Sequence, residues 1–270
     1  MKIDRSHIIK DLFQFSQEGN GVIIGKPGIG KSYSIAELAE MLANNNIPVV
    51  ILPIDTILDG TDSSIESEIE SDGGWISYLD KVKLSEGERA VLIFDAYDAA
   101  RDEKLKKEIL IQIKKAISKL HKWNVIVSVR TYDATKSPQL LRLFGNQNYG
   151  NGISCRNFEI SDLSDQELES VFNDNPALED LFKAADIELK RILRIPFFLR
   201  LLEEIVQMNS DSSDLEEIKL IKSETELLNK YWITKVTNTD NSYKKEVLLK
   251  SLAEKLVENR TLNYVKEEFV

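Results

Sequence analysis

The sequence predicts an α/β fold: a parallel-sheet core followed by an all-helical domain. Three observations predict it. Short apolar runs alternate with helix-period stretches through the first 160 residues, as they do where strands are joined by crossover helices. The run Ala90-Val91-Leu92-Ile93-Phe94 is apolar without alternation, as a strand buried on both faces must be. After Ser161 the strand signals nearly vanish and helical periodicity takes over. The expected domains are 1–160 and 161–270.

The elements follow in order. Residues 22–24 form the first strand. A helix over 32–44 sets Ile35, Leu38, Ala39 and Leu42 on one face and stops at Asn44-Asn45-Asn46. The second strand covers 47–52, with Pro48 at its start, where a missing N–H is tolerated. The acidic, serine-rich stretch 59–72 reads as an exposed, mobile loop. Gly73-Gly74 ends it, and a short helix spans 75–82. After the third strand, 90–95, a long amphipathic helix over 103–123 has an inner stripe of Leu105, Ile109, Ile113, Ala116, Ile117 and Leu120. The fourth and fifth strands lie at 125–129 and 158–160. Helices are then expected at 165–172, 177–185, 188–193, 197–208, 225–236 and 243–258. Ser223-Glu224-Thr225-Glu226 is a capping box, and the polar stretch 209–214 is a hinge or loop.

Composition narrows the function. The chain has 270 residues, enough for a sizeable core, and a net charge of −10. Such a surface repels a phosphate backbone and argues against generic nucleic-acid binding. A single cysteine, Cys155, allows no internal disulfide and suits a reducing compartment. No signal-peptide pattern opens the chain and no apolar stretch approaches the roughly 20 residues of a membrane span, so the expected location is cytoplasmic. His7 and His121 are isolated and give no metal-ligand spacing; Trp75, Trp123 and Trp232 read as packing residues.

The chemistry concentrates in Gly21-Val22-Ile23-Ile24-Gly25-Lys26-Pro27-Gly28-Ile29-Gly30-Lys31-Ser32, a strand leading into a G-x-x-x-x-G-K-S loop that opens a helix. Three glycines let successive N–H groups turn inward onto phosphate oxygens. The Lys31 ammonium suits β- and γ-phosphates, and the Ser32 hydroxyl suits Mg²⁺. The helix N-terminus adds its dipole. Gly25, Pro27, Gly28, Ile29, Gly30, Lys31, Ser32 and Tyr33 are therefore the expected nucleotide-binding set, with ATP and Mg²⁺ as ligands. Asp95 ends an apolar strand and joins Ser32 as an expected metal-holding residue. Asp98, on the following turn, suits orienting or deprotonating the attacking water, or capping the next helix. Arg130 follows the fourth strand, placed either to read the γ-phosphate with its planar fork or to be solvated. Pro196, by itself, reads as a helix start.

The order of these motifs resembles the STAND class of signalling ATPases within the AAA+-related proteins, its NACHT branch above all. Val91-Leu92-Ile93-Phe94-Asp95-Ala96-Tyr97-Asp98 is similar to that family's second motif, and Ile126-Val127-Ser128-Val129-Arg130 to its sensor strand. Leu163-Ser164-Asp165-Gln166-Glu167 and Ile195-Pro196-Phe197-Phe198-Leu199 follow in the family's order. The resemblance implies that Lys31, Asp95, Asp98 and Arg130 carry the catalytic and sensing roles. It also implies that Pro196 touches the adenine and that the helical domain acts as a lid. Two residues depart from the pattern. Ala99 stands where the family carries a glutamate, which implies slow hydrolysis, and Arg194 stands where a glycine precedes the proline. The family continues into a winged helix about where this sequence ends, so the expectation is a piece of a longer protein, or a chain whose sensor or effector lies in a partner.

The expected function is thus an ATP-driven switch, ATP or ADP setting self-association, of the kind that serves defence in prokaryotes. The competing readings are an AAA-like motor or helicase loader, which would need a basic strand-binding surface, and a scaffold that binds nucleotide without hydrolysing it.

Overall fold

The computed structural model describes residues 3–85, 87–100, 102–145, 151–208 and 217–258. Among these, five strands form a parallel sheet: β1 (Gly21–Gly25), β2 (Val49–Pro53), β3 (Ala90–Asp95), β4 (Trp123–Arg130) and β5 (Asn157–Glu159), in the order β2-β3-β4-β1-β5. The chain divides into two compact units, Arg5–Ser161 and Asp162–Val270 together with Met1–Asp4. The architecture is an α/β P-loop core with an all-helical region beside it in sequence.

Strand periodicity sorts the α/β core into two layers. Val22 and Ile24 of β1, Leu92 and Phe94 of β3, and Val125, Val127 and Val129 of β4 face one way. They pack against α3 (Asp62–Glu68), α4 (Trp75–Asp80) and α5 (Glu103–Lys119) through Ile65, Trp75, Leu79, Ile109 and Ile113. Ile23, Val91, Ile93 and Ile126 face the other way, against α1 (Ser6–Glu18) and α2 (Lys31–Asn44) through Leu12, Phe15, Ile35, Leu38 and Leu42. Asp95, Ser128 and Arg130 continue that second set at even spacing, on the side of the sheet that carries the phosphate loop.

Several elements differ from the sequence expectation. Helix α1 has no counterpart in it; Ile8, Ile9, Leu12 and Phe15 bury the face that forms it. The stretch 59–72 is not an open loop: Thr61 caps α3, and Ile65 is fully buried under it. Burial of one isoleucine in a local helix outweighs the acidic, serine-rich composition. The long helix stops at Lys119, and Trp123, counted above as its last residue, begins β4 instead, its indole N–H donating to the Leu79 carbonyl at 3.2 Å. Asp102 caps α5 by accepting the Leu105 N–H at 2.8 Å, so Asp98 is not that helix's cap. Beyond β4, Tyr132 and Asp133 lie in a helical turn, α6 (Thr131–Thr135), and α7 (Pro138–Leu141) follows.

In the helical unit, helices run over Asp165–Asn173, Pro176–Ala184, Ile187–Leu193, Pro196–Met208, Glu224–Trp232 and Ser242–Glu258. A π turn, Ile233–Thr237, follows the fifth of these. Leu163, Leu178, Leu193, Leu199, Leu202 and Ile205 centre its core. Ser164 and Glu167 form a reciprocal capping box. The polar stretch 209–214 and the end of the sequence beyond 258 lie outside the described residues. Among the described residues no helix is long and apolar enough to cross a membrane.

Candidate nucleotide-binding site

The register of the sheet positions the site. Gly25, the last residue of β1, pairs with Arg130, the last of β4, while Phe94 of β3 pairs with Val127. The phosphate loop, Asp95 and Arg130 therefore all emerge at the carboxyl ends of neighbouring strands, where α/β sheets bind ligands. A cleft of about 280 Å³ opens there, lined by Pro27, Gly28, Gly30, Lys31, Ser32, Tyr33, Asp95, Ala96, Asp98, Ser128 and Arg130.

The loop itself is shaped by glycine. Gly28 and Gly30 sit at φ 74 and 93, backbone that favours residues without a side chain. At Gly25 the constraint is space: a Cβ would stand 2.9 Å from Ile29 Cγ2 and 3.2 Å from the Ile160 carbonyl oxygen. Ile29 is buried beneath the loop in the same cluster as Leu12, Ile35 and Ile160 and anchors it, while Pro27 and Gly28 stay exposed. From the first turn of α2, Lys31 donates to the Gly25 and Lys26 carbonyls at 3.0 and 3.3 Å. Burial lowers its pKa below the ordinary lysine value, and nearby Arg130 adds to that; Asp98 and Asp95 oppose it. Ser32 is exposed at the helix start, and Tyr33 follows it, 58% exposed.

Across the cleft, Asp95 is 8% exposed. Its Oδ1 accepts the Ala96 N–H at 2.9 Å and the Ser128 hydroxyl. The donor set offered to a cation, the Ser32 hydroxyl and the Asp95 carboxylate, consists of hard oxygens that suit Mg²⁺ completed by water and phosphate. Asp98 and Arg130 are joined twice: the Arg130 N–H donates to Oδ1 at 3.0 Å, and Nε lies 2.7 Å from Oδ2. The carboxylate is nearly buried (8% exposed) while the guanidinium is half exposed. In this state Asp98 serves Arg130.

Of the residues expected at the site in the α/β unit, Pro27, Gly28, Gly30, Lys31, Ser32, Tyr33, Asp95, Asp98 and Arg130 line this cleft, while Gly25 ends β1 below it and Ile29 is buried under the loop. Pro196 lies in the helical unit, where it opens the helix Pro196–Met208. Arg194, in the glycine position of the motif, donates to the Leu163 carbonyl at 2.7 Å and pairs with Asp165, so it closes the turn before that helix from within its own unit. Sequence reasoning missed two residues. Ser128 is fully buried in an apolar strand, and a lone hydroxyl in such a run was the available signal. Arg5, 8% exposed, donates to the Ile29 carbonyl of the loop at 3.3 Å and to the Ser161 carbonyl at 2.6 Å. No local pattern marks it.

No family model and no curated protein matches the chain. Solved structures similar to it include the Walker-type ATPase PABY2304 of Pyrococcus abyssi, at 14% identity and a TM-score of 0.46, covering 96% of this chain and 76% of that one. Hsp104, solved with ATPγS and casein, is similar at 15% identity and a TM-score of 0.45; 92% of this chain is covered, but only 44% of Hsp104. The replication initiator DnaA, bound to AMPPCP and single-stranded DNA, is similar at 14% identity and 0.41, with 98% and 72% covered. None of these likenesses fixes a function for this chain.

Proposed function

We propose that the chain binds ATP with Mg²⁺ and works as a slowly hydrolysing switch of the STAND/NACHT kind, with nucleotide state setting self-association. The observation that carries this reading is the single cleft shared by the glycine-shaped loop, the partly desolvated Lys31, the Ser32–Asp95 oxygen pair and Arg130. Gly25, Pro27, Gly28, Ile29, Gly30 and Tyr33 complete the phosphate and nucleoside contacts, and Pro196 is the proposed adenine contact from the helical unit. The Asp98–Arg130 pair supports a switch, because a γ-phosphate competes with Asp98 for the guanidinium and so has a different affinity for the paired and unpaired states. A role in prokaryotic defence rests on the resemblance of the motif order alone. Calorimetric titration of Mg·ATP tests the reading: Lys31→Ala should weaken binding by more than about 2 kcal/mol, because it removes the partner of desolvated phosphate charge. Equal affinities for the two proteins would refute it.

One observation favours a second reading, a nucleotide-dependent scaffold without turnover. Asp98 is occupied by Arg130, and Ala99 beside it carries no carboxylate. Phosphate release under saturating ATP separates the two readings: the switch predicts slow release, far below the enzyme median of about 10 per second, and the scaffold predicts none.

A further inference from the structure

Ser128 is fully buried in β4 between Val127 and Val129, and its side chain points to the same side of the sheet as Ile126. A hydroxyl at such a place is costly unless its bonding is complete. Here it is complete, in one sense only. The Ala96 N–H donates to Ser128 Oγ at 2.8 Å. An oxygen that receives a backbone proton on that side has its own proton left to give, and the acceptor within reach is Asp95 Oδ1. The same Ala96 N–H also leans on Oδ1 at 2.9 Å. Ala96 stands at φ 58 and ψ 52, backbone that a non-glycine residue rarely adopts, so this arrangement is held against local strain. The outcome is a closed triangle of Ala96 N–H, Ser128 hydroxyl and Asp95 Oδ1. It saturates one carboxylate oxygen and leaves Oδ2 as the oxygen available to the cleft.

We propose that Ser128 is a positioning residue for the metal-holding carboxylate: its hydroxyl fixes the rotation of Asp95 so that Oδ2 meets the Mg²⁺ of a bound Mg·nucleotide. This rests on the nucleotide-binding reading above. Outer partners of this kind commonly alter metal affinity by tenfold or more. A merely structural serine would change stability without changing metal dependence.

The test measures a fluorescent ATP analogue binding to the whole chain, first in EDTA and then across a Mg²⁺ titration. Mn²⁺ electron paramagnetic resonance gives a direct count of bound metal. Ser128→Ala should leave the EDTA affinity within twofold of wild type and raise the metal midpoint about tenfold. Ser128→Thr, which keeps the hydroxyl, should restore it. In an Asp95→Asn background, Ser128→Ala should add nothing further. If Ser128→Ala does not fold, Ser128→Cys, whose thiol is a weak donor of similar size, carries the same expectation. A folded variant with the wild-type metal midpoint overturns the inference and leaves nucleotide binding standing. A wild-type chain that binds no nucleotide overturns both.

Discussion

Two glycines of the phosphate loop face different constraints, and alanine at each should separate them. At Gly30 a Cβ meets no protein atom within 4 Å, so in the nucleotide-free chain the penalty is the strained φ of 93, on the order of 1–2 kcal/mol. At Gly25 the Cβ meets Ile29 and the Ile160 carbonyl, so the loop must move. Thermal unfolding together with calorimetry should show Gly30→Ala lowering stability with ATP affinity largely kept. Gly25→Ala should lose affinity at least tenfold; equal losses in affinity would contradict the steric account. Cys155 gives a second check at this scale. Burial pushes its thiol up to about 11, so at pH 8 only about one molecule in a thousand carries thiolate. Labelling should be slow in the folded protein, faster as pH rises towards 11, and immediate in denaturant. That the loop, Asp95, Asp98 and Arg130 share one cleft was legible, because each stands at or just after the carboxyl end of a readable apolar strand. Ser128 and Arg5 were not, because their roles arise from contacts 33 and 156 residues away in sequence.

At the scale of elements, the helix α3 shows where composition misleads. Asp62-Ser63-Ser64-Ile65-Glu66-Ser67-Glu68 offers one apolar side chain to water-loving neighbours, and nothing local says that Ile65 is covered. Its covering comes from Leu52, Trp75 and the rest of the α3–α5 layer, while Asp62 holds the Trp75 indole at 3.2 Å and pairs with Lys115 at 2.6 Å. Ile65→Ala should therefore cost about 2–5 kcal/mol in a denaturant titration, the range of buried large-to-small changes. A change under 0.5 kcal/mol would mean the segment does not pack. Strands were easier to read than helix ends. β3 coincides with its apolar run, since a strand buried on both faces allows no polar residue until Asp95. The end of α5 was misplaced because Leu120 and Trp123 are both buried; the chain leaves the helix between them without any change in hydrophobicity.

For the molecule as a whole, the proposed switch turns on the Asp98–Arg130 pair. A non-hydrolysable ATP analogue should draw Arg130 from Asp98 and promote self-association; ADP should not. Arg130→Ala should bind both nucleotides nearly as well as wild type and respond to neither. Small-angle scattering of both proteins with each nucleotide decides this, and identical wild-type profiles would remove the γ-phosphate from the mechanism. The order of strand and helix signals made the α/β core followed by helices legible, but the chemistry where one gives way to the other was not. The chain passes between its two units at Asp4–Arg5 and again at Ser161–Asp162, and the Arg5 side chain spans from the first crossing to the second while also holding the loop carbonyl of Ile29. Both crossings are therefore fastened at one point, like two cords through a single eyelet. Within the α/β unit, then, the loop carbonyl of Ile29 and the last carbonyl before the second crossing, that of Ser161, share one guanidinium.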